Sequence, residues 1–189
     1  MTNASAMPPR SRGRERRAAR VRAAVDRRGT AAVELAMIAP LFAIALLNTV
    51  DIARYFYELM EVQNAAQIGA QAAWTACDVA HLPATTNCPG LNAAVSAAIK
   101  ATSLGSSVTL VSGSPSEGYY CVNSSGALVY VADMSSKPAD CSSVGNAAAT
   151  PGDYIKVQVS FAYAPIFAGL SVAGAFPSPS TSTSIMRLV

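Results

Sequence analysis

The sequence predicts an α+β protein: one long N-terminal helix, apolar in its first half and two-faced in its second, supporting a small antiparallel β-sheet. Three observations carry this. Residues Thr30–Val50 form an apolar run whose one charged residue is Glu34. From Asp51 to Trp74 apolar positions recur every three or four residues, the period of a helix with one buried face. From Tyr154 to Tyr163 apolar and polar residues alternate, the period of a half-buried strand.

Taken in order, residues 1–28 hold nine arginines against Glu15 and Asp26, a balance of +7, while residues 29–189 hold five Lys or Arg against nine acids, a balance of −4. The basic block, with Pro8-Pro9 and few large apolar residues, reads as a solvated, flexible leader. Its position beside an apolar run marks the cytoplasmic flank of a membrane segment, where Lys and Arg accumulate. A nucleic-acid arm fits less well, because no aromatic residue is interleaved with the arginines to stack on bases.

Thr30–Val50 matches the roughly 20 residues that cross a bilayer, so the lipid bilayer is an expected partner. Pro40 lies inside the run and predicts a kink rather than an end, since in lipid every backbone group must still find an internal partner. Past Val50, Ile52, Tyr55, Phe56, Leu59, Val62, Ala66, Gly69 and Ala73 form the apolar stripe. Asp51, Arg54, Glu58, Glu61, Asn64, Gln67 and Gln71 take the other face. The two segments together make a helix of about 45 residues, roughly 70 Å long. A break near Val50 is the alternative, leaving an anchor and a separate soluble helix. Small residues at Ala65-Ala66, Gly69-Ala70 and Ala72-Ala73 would let another element approach closely.

Cys77–Gly90 reads as a loop, and Leu91–Thr102 as a short helix with Gly105 beyond its end. Strands are expected at Ser107–Ser112, Tyr119–Val122, Ala127–Ala132, Tyr154–Tyr163 and Thr181–Leu188, with a hairpin turn at Asn123-Ser-Ser-Gly126. The resulting organisation is a leader (1–29), a transmembrane helix (30–50), an amphipathic continuation (51–76) and an exported α+β domain (77–189).

All four cysteines, Cys77, Cys88, Cys121 and Cys141, follow the apolar segment. An even count on the exported side predicts two disulfides in an oxidising compartment. Three connectivities are open, and short loops favour Cys77–Cys88 with Cys121–Cys141. No Cys-x-x-Cys is present and His81 stands alone, so no metal is expected. No nucleophile elbow or phosphate-cradling glycine loop is present either. Neither catalytic residues nor a cofactor nor a small-molecule substrate is expected, and the chain reads as a non-enzyme.

Glu34 is the informative residue. A carboxylate five residues into a membrane-length stretch is costly. An ordinary signal peptide has a shorter apolar core followed by a small-x-small cleavage site, whereas Asp51-Ile-Ala-Arg-Tyr-Phe-Tyr follows here. A plain signal anchor fits the length but leaves Glu34 unexplained, unless the acid simply reaches the headgroups near the arginines. A leader cut just before the apolar stretch, so that the helix stays in the product, accounts for both Gly29 and Glu34.

The run Arg28-Gly29-Thr-Ala-Ala-Val33-Glu34-Leu-Ala36-Met-Ile-Ala-Pro40 resembles the opening of the TadE-like family, minor pilins or pseudopilins of the tight-adherence (Flp) pilus machinery. Asp51-Ile-Ala-Arg-Tyr-Phe and Asn64-Ala-Ala-Gln-Ile-Gly-Ala70 resemble the segment that follows, so the likeness covers about residues 27–73. It implies a pilin-like helix and cleavage by a prepilin peptidase after Gly29, with Thr30 as the new N-terminus. Glu34 would serve processing and assembly, its charge met by a freed amine. Leu35 stands where major Flp pilins often carry tyrosine, which points to a minor component. The implied setting is a single-pass protein of the bacterial inner membrane, leader in the cytoplasm and C-terminal domain in the periplasm. Its partners would be the peptidase, other minor pilins and Flp pilus assembly proteins, in the service of adhesion or secretion. A rival from another class is an uncleaved, membrane-anchored binding or adhesion domain.

Overall fold

The computed structural model describes residues 12–189, with side chains from residue 29 onward. It is α+β: a long apolar N-terminal helix followed by a small antiparallel sheet. Helix α1 runs unbroken through Arg12–Ala76, with Pro40 inside it. Residues 1–11 of the expected flexible leader lie outside the described residues. From Arg12 the backbone is helical instead, which suits a segment built largely of Arg and Ala, both strong helix formers.

The chain divides into two compact units, residues 1–47 and residues 48–189. In the first, large apolar side chains of α1 lie exposed, among them Leu35, Met37, Leu41, Phe42 and Leu46. Mean hydropathy reaches 2.1 over the most apolar window of the helix, and none of that window is buried. Among the described residues this is the one helix long and apolar enough to cross a membrane. Without a bilayer, so much bare hydrocarbon on one helix would be a severe liability.

The second unit holds everything else. After α1 come α2 (Ala84–Asn87) and α3 (Leu91–Lys100). The strands are β1 (Val108–Leu110), β2 (Ser116–Val122), β3 (Leu128–Ala132), β4 (Gly152–Phe161) and β5 (Ser180–Arg187). Strand β4 is the spine. Along one edge it pairs with β5 over residues 154–161; along the other it pairs first with β2 and then with β1, and β3 lies outside β2. All pairings are antiparallel. The alternation seen in the sequence is realised: Ile155, Val157, Val159 and Phe161 are buried. The β2–β3 turn closes through Asn123, whose Oδ1 accepts the amides of Ser125 (3.0 Å) and Ala127 (2.8 Å), while Gly126 supplies a φ of +83°.

The core forms where α1 and α3 lie on β4, with Val62, Val95, Ile99, Val157 and Val159 at its centre. Gly69 sets the closeness of that contact. A Cβ there would come within 2.9 Å of Ile99 Cγ2 and 3.1 Å of Val157 Cγ1. Both short-loop disulfides are formed, Cys77–Cys88 and Cys121–Cys141. The expected Cys77–Gly90 loop contains a turn of 3-10 helix at Val79–His81 as well as α2. The carboxylate of Glu117 on β2 ties α2 to the sheet, accepting the amides of Ala84 (2.9 Å) and Thr85 (2.8 Å) and the Thr85 hydroxyl (2.8 Å).

Three placements on α1 differ from the periodicity reading. Asp51 and Glu58, assigned to the solvated face, are buried, while Phe56, assigned to the stripe, is exposed. Tyr55, Val62, Ala66, Gly69 and Ala73 of the expected stripe are buried, and Asp51, Glu58, Ala65 and Ala70 widen it, at Asp51 toward a loop that arrives from more than 100 residues downstream.

Candidate functional site

Two polar constellations sit on α1, one in each unit. In the first, Gly29, Thr30, Val33 and Glu34 share one side of the helix and line a common surface depression. A Cβ added at Gly29 would meet nothing within 4 Å. Glycine inside a helix costs about 1 kcal/mol relative to alanine. Neither packing nor an unusual backbone angle in the described fold therefore requires glycine at this position. Glu34 is exposed and has no hydrogen-bond or ion-pair partner among the described residues. Chemically the pair offers a small residue flanking a peptide bond and, one helical turn beyond, a carboxylate set among hydrocarbon.

In the second unit, Asn48, Asp51 and Tyr55 follow one another along one helical face and hold the segment between Tyr163 and Ser178. Asn48 bonds it twice, donating to the Leu170 carbonyl (3.2 Å) and accepting the Val172 amide (2.7 Å). The Asp51 carboxylate accepts the amides of Ile166 (3.0 Å) and Phe167 (3.2 Å), and its backbone carbonyl accepts the Tyr163 hydroxyl (3.0 Å). The Tyr55 hydroxyl donates to the Pro177 carbonyl (3.3 Å), with the Tyr55 ring edge-on to Tyr163 at 5.1 Å. Asp51 is wholly inaccessible to solvent. Burial alone would raise its pKa; the Ser171 hydroxyl, the Phe167 and Ile166 amides and the Arg54 guanidinium outweigh it and hold the carboxyl below its ordinary value. Burial and the nearby Asp51 charge push the Tyr163 hydroxyl up. A buried acid supplied with donors in this way is a structural latch.

A third acid behaves in the opposite sense. Asp153 at the start of β4 is pushed up to about 7, first by burial and then by the Glu117 charge beside it, with Lys137 opposing. Glu117, the acceptor that ties α2 to the sheet, is thus also the group whose charge raises Asp153.

Of the residues singled out from the sequence, Gly29, Thr30 and Glu34 are brought onto one helix side, and the four cysteines pair as two bridges. His81 is exposed in the loop after α1. The latch escaped notice because an Asp directly after an apolar run reads as the return to solvent. A signal was nonetheless present: residues 157–186 contain no Asp, Glu, Lys, Arg or His, so any buried acid meeting them needs backbone donors.

No curated protein and no solved structure matches the chain. A family model described as TadE-like protein matches residues 29–71. The matched span begins at Gly29, takes in Glu34, Asn48, Asp51 and Tyr55, and stops short of the loop that the latch holds. The part of α1 that contributes to both constellations is thus similar to the TadE-like family.

Proposed function

We propose that this chain is a minor pilin or pseudopilin of a Flp-type pilus, delivered to the membrane by its basic leader and cut after Gly29 by a prepilin peptidase. The family match supports association with the tight-adherence pilus machinery. A helix of membrane length whose most apolar window has no buried residue fits a membrane-anchored protein. In this reading residues 1–29 are the cytoplasmic leader, 30–50 cross the inner membrane, 51–76 continue the helix, and 77–189 form the periplasmic domain.

The observation that carries the proposal is the pairing of Gly29, which no contact in the fold requires, with Glu34, an acid on bare hydrocarbon that has no described partner. Cleavage exposes the α-amine of Thr30. Glu34 is four residues away on the same helix side, so the amine of its own or a neighbouring subunit supplies the missing cation. Subunits without that pairing would bring an uncompensated charge into an apolar assembly. The sheet-bearing unit is left to contact other minor pilins and assembly proteins, in support of adhesion or secretion.

Co-expression with a prepilin peptidase tests the reading. The chain is expected to lose residues 1–29 and to give Thr30 in the first cycle of N-terminal sequencing. Gly29→Leu is expected to block the cut. A mature chain from the native host beginning at Met1, or at Ala36, overturns the proposal and leaves an uncleaved anchored domain in its place.

A further inference from the structure

We infer that the 164–176 loop is a second membrane contact: a lipid-facing segment held by the Asn48–Asp51 latch, seating the sheet unit on the bilayer surface. The inference rests on reading residues 30–50 as membrane-spanning, and extends that reading to a part of the chain outside the family match.

Four observations converge. First, the loop is tied to α1 at Asn48 and Asp51, that is, at the last turn of the apolar span and the residue that follows it. Whatever depth Asn48 takes, Leu170 and Val172 share it to within a hydrogen bond. Second, the loop presents apolar side chains outward: Ile166 is 55% exposed, Leu170 60% and Val172 57%. Apolar side chains gathered outward on one tethered loop mark an interaction surface rather than chance exposure.

Third, its chemistry suits lipid and no charged partner. Residues 157–186 carry no ionisable Asp, Glu, Lys, Arg or His, while Phe56 and Tyr57 project from α1 just past the span. Aromatic residues favour that interfacial depth. Fourth, much of the loop's backbone is already satisfied. The amides of Ile166, Phe167, Leu170, Ser171, Val172 and Ala173 all donate within the unit, to Asp51, Asn48, the Phe167 carbonyl and the Ser171 hydroxyl. Irregular backbone is excluded from hydrocarbon chiefly by unpaired amides, and here that cost is reduced. This also gives the latch its purpose: a buried aspartate supplies acceptors where water is scarce.

The test uses the full chain in vesicles of phosphatidylethanolamine and phosphatidylglycerol carrying bromine on their acyl chains. Trp74 is the only tryptophan and is exposed, so Trp74→Phe gives a silent background. Single reporters are then Leu170→Trp in the loop, Leu46→Trp in the span and Thr183→Trp on exposed β5. The Leu170 side chain is exposed and its carbonyl is retained, and Val172→Trp repeats the measurement at a second exposed position. Blue-shifted emission and strong quenching at 170, 172 and 46, with none at 183, is the expected result. Quenching at 46 with none at 170 or 172 overturns the inference and leaves the membrane span intact. No quenching at 46 overturns both. A blue shift at 170 that grows with protein density and is untouched by bromolipid assigns the loop to a second copy of the chain, and overturns a lipid contact.

Discussion

Gly29 and Glu34, in the apolar half of α1, can be set against Gly69 and Asp51, in the half that carries the sheet. Each half has a helical glycine and a carboxylate in apolar surroundings. Gly69 is demanded by its neighbours, since a Cβ would strike Ile99 at 2.9 Å, whereas a Cβ at Gly29 meets nothing. Asp51 is met by two amides and a hydroxyl from its own chain; Glu34 has no described partner. Where the fold supplies the reason for a costly residue, the residue is structural. Where it does not, the reason lies in something that handles the chain from outside. On that ground Glu34, rather than the better-connected Asp51, is the residue we propose for assembly.

Glu34→Gln removes the charge and keeps the shape. It is expected to abolish surface pili in the native host while leaving thermal unfolding of the sheet unit unchanged. Undiminished piliation would remove the basis for treating the two acids differently. Gly69→Leu sharpens the glycine half of the comparison: overpacking at a tight helix–sheet contact costs about 1–3 kcal/mol. Gly29→Ala is expected to leave chemical denaturation of the same unit unmoved.

Asp51→Ala strands the amides of Ile166 and Phe167. Hydrogen–deuterium exchange is expected to rise in residues 163–178 and to stay low in β4. Equal loosening of both would mean that Asp51 supports the core rather than the loop. In the wild type the depressed Asp51 pKa makes the latch's contribution complete above the ordinary aspartate value near 3.8, and lost as pH falls through the lower folded value.

The smallest effect expected is at Asp153, and its sign is reversed. With the folded pKa raised to about 7, the folded chain holds a proton that the unfolded chain has released. Stability from this group therefore falls as pH climbs from about 4 to about 7. Asp153→Asn is expected to flatten that slope in urea titrations at successive pH values. A slope that survives the substitution assigns it to another group.

Much of this was legible in the sequence. Strand β4 announced itself through strict alternation, α3 through its period and downstream glycine, and the Gly29–Glu34 pairing through its place at the mouth of an apolar run. What was not legible depended on residues far apart in the chain. Asp51 and Glu58 looked solvated because periodicity assigns faces by residue type. The segment that covers Asp51 lies 115 residues downstream and announces no partner. Charge content likewise masked the leader's helical propensity from Arg12 onward, because arginine repels its neighbours yet favours helix.

Strand β4 has every other sheet strand except β3 as a direct neighbour. During synthesis β1 and the β4-facing edge of β2 therefore wait unpaired until residues 152–161 leave the ribosome, although β2 can already close its hairpin with β3. Such delayed, long-range pairing is slow and exposes aggregation-prone edges. A helix of membrane length is thus complete before the domain it carries can fold, and a chain interrupted ahead of residue 152 would keep the β2–β3 hairpin but lack the strand that joins it to β1 and β5.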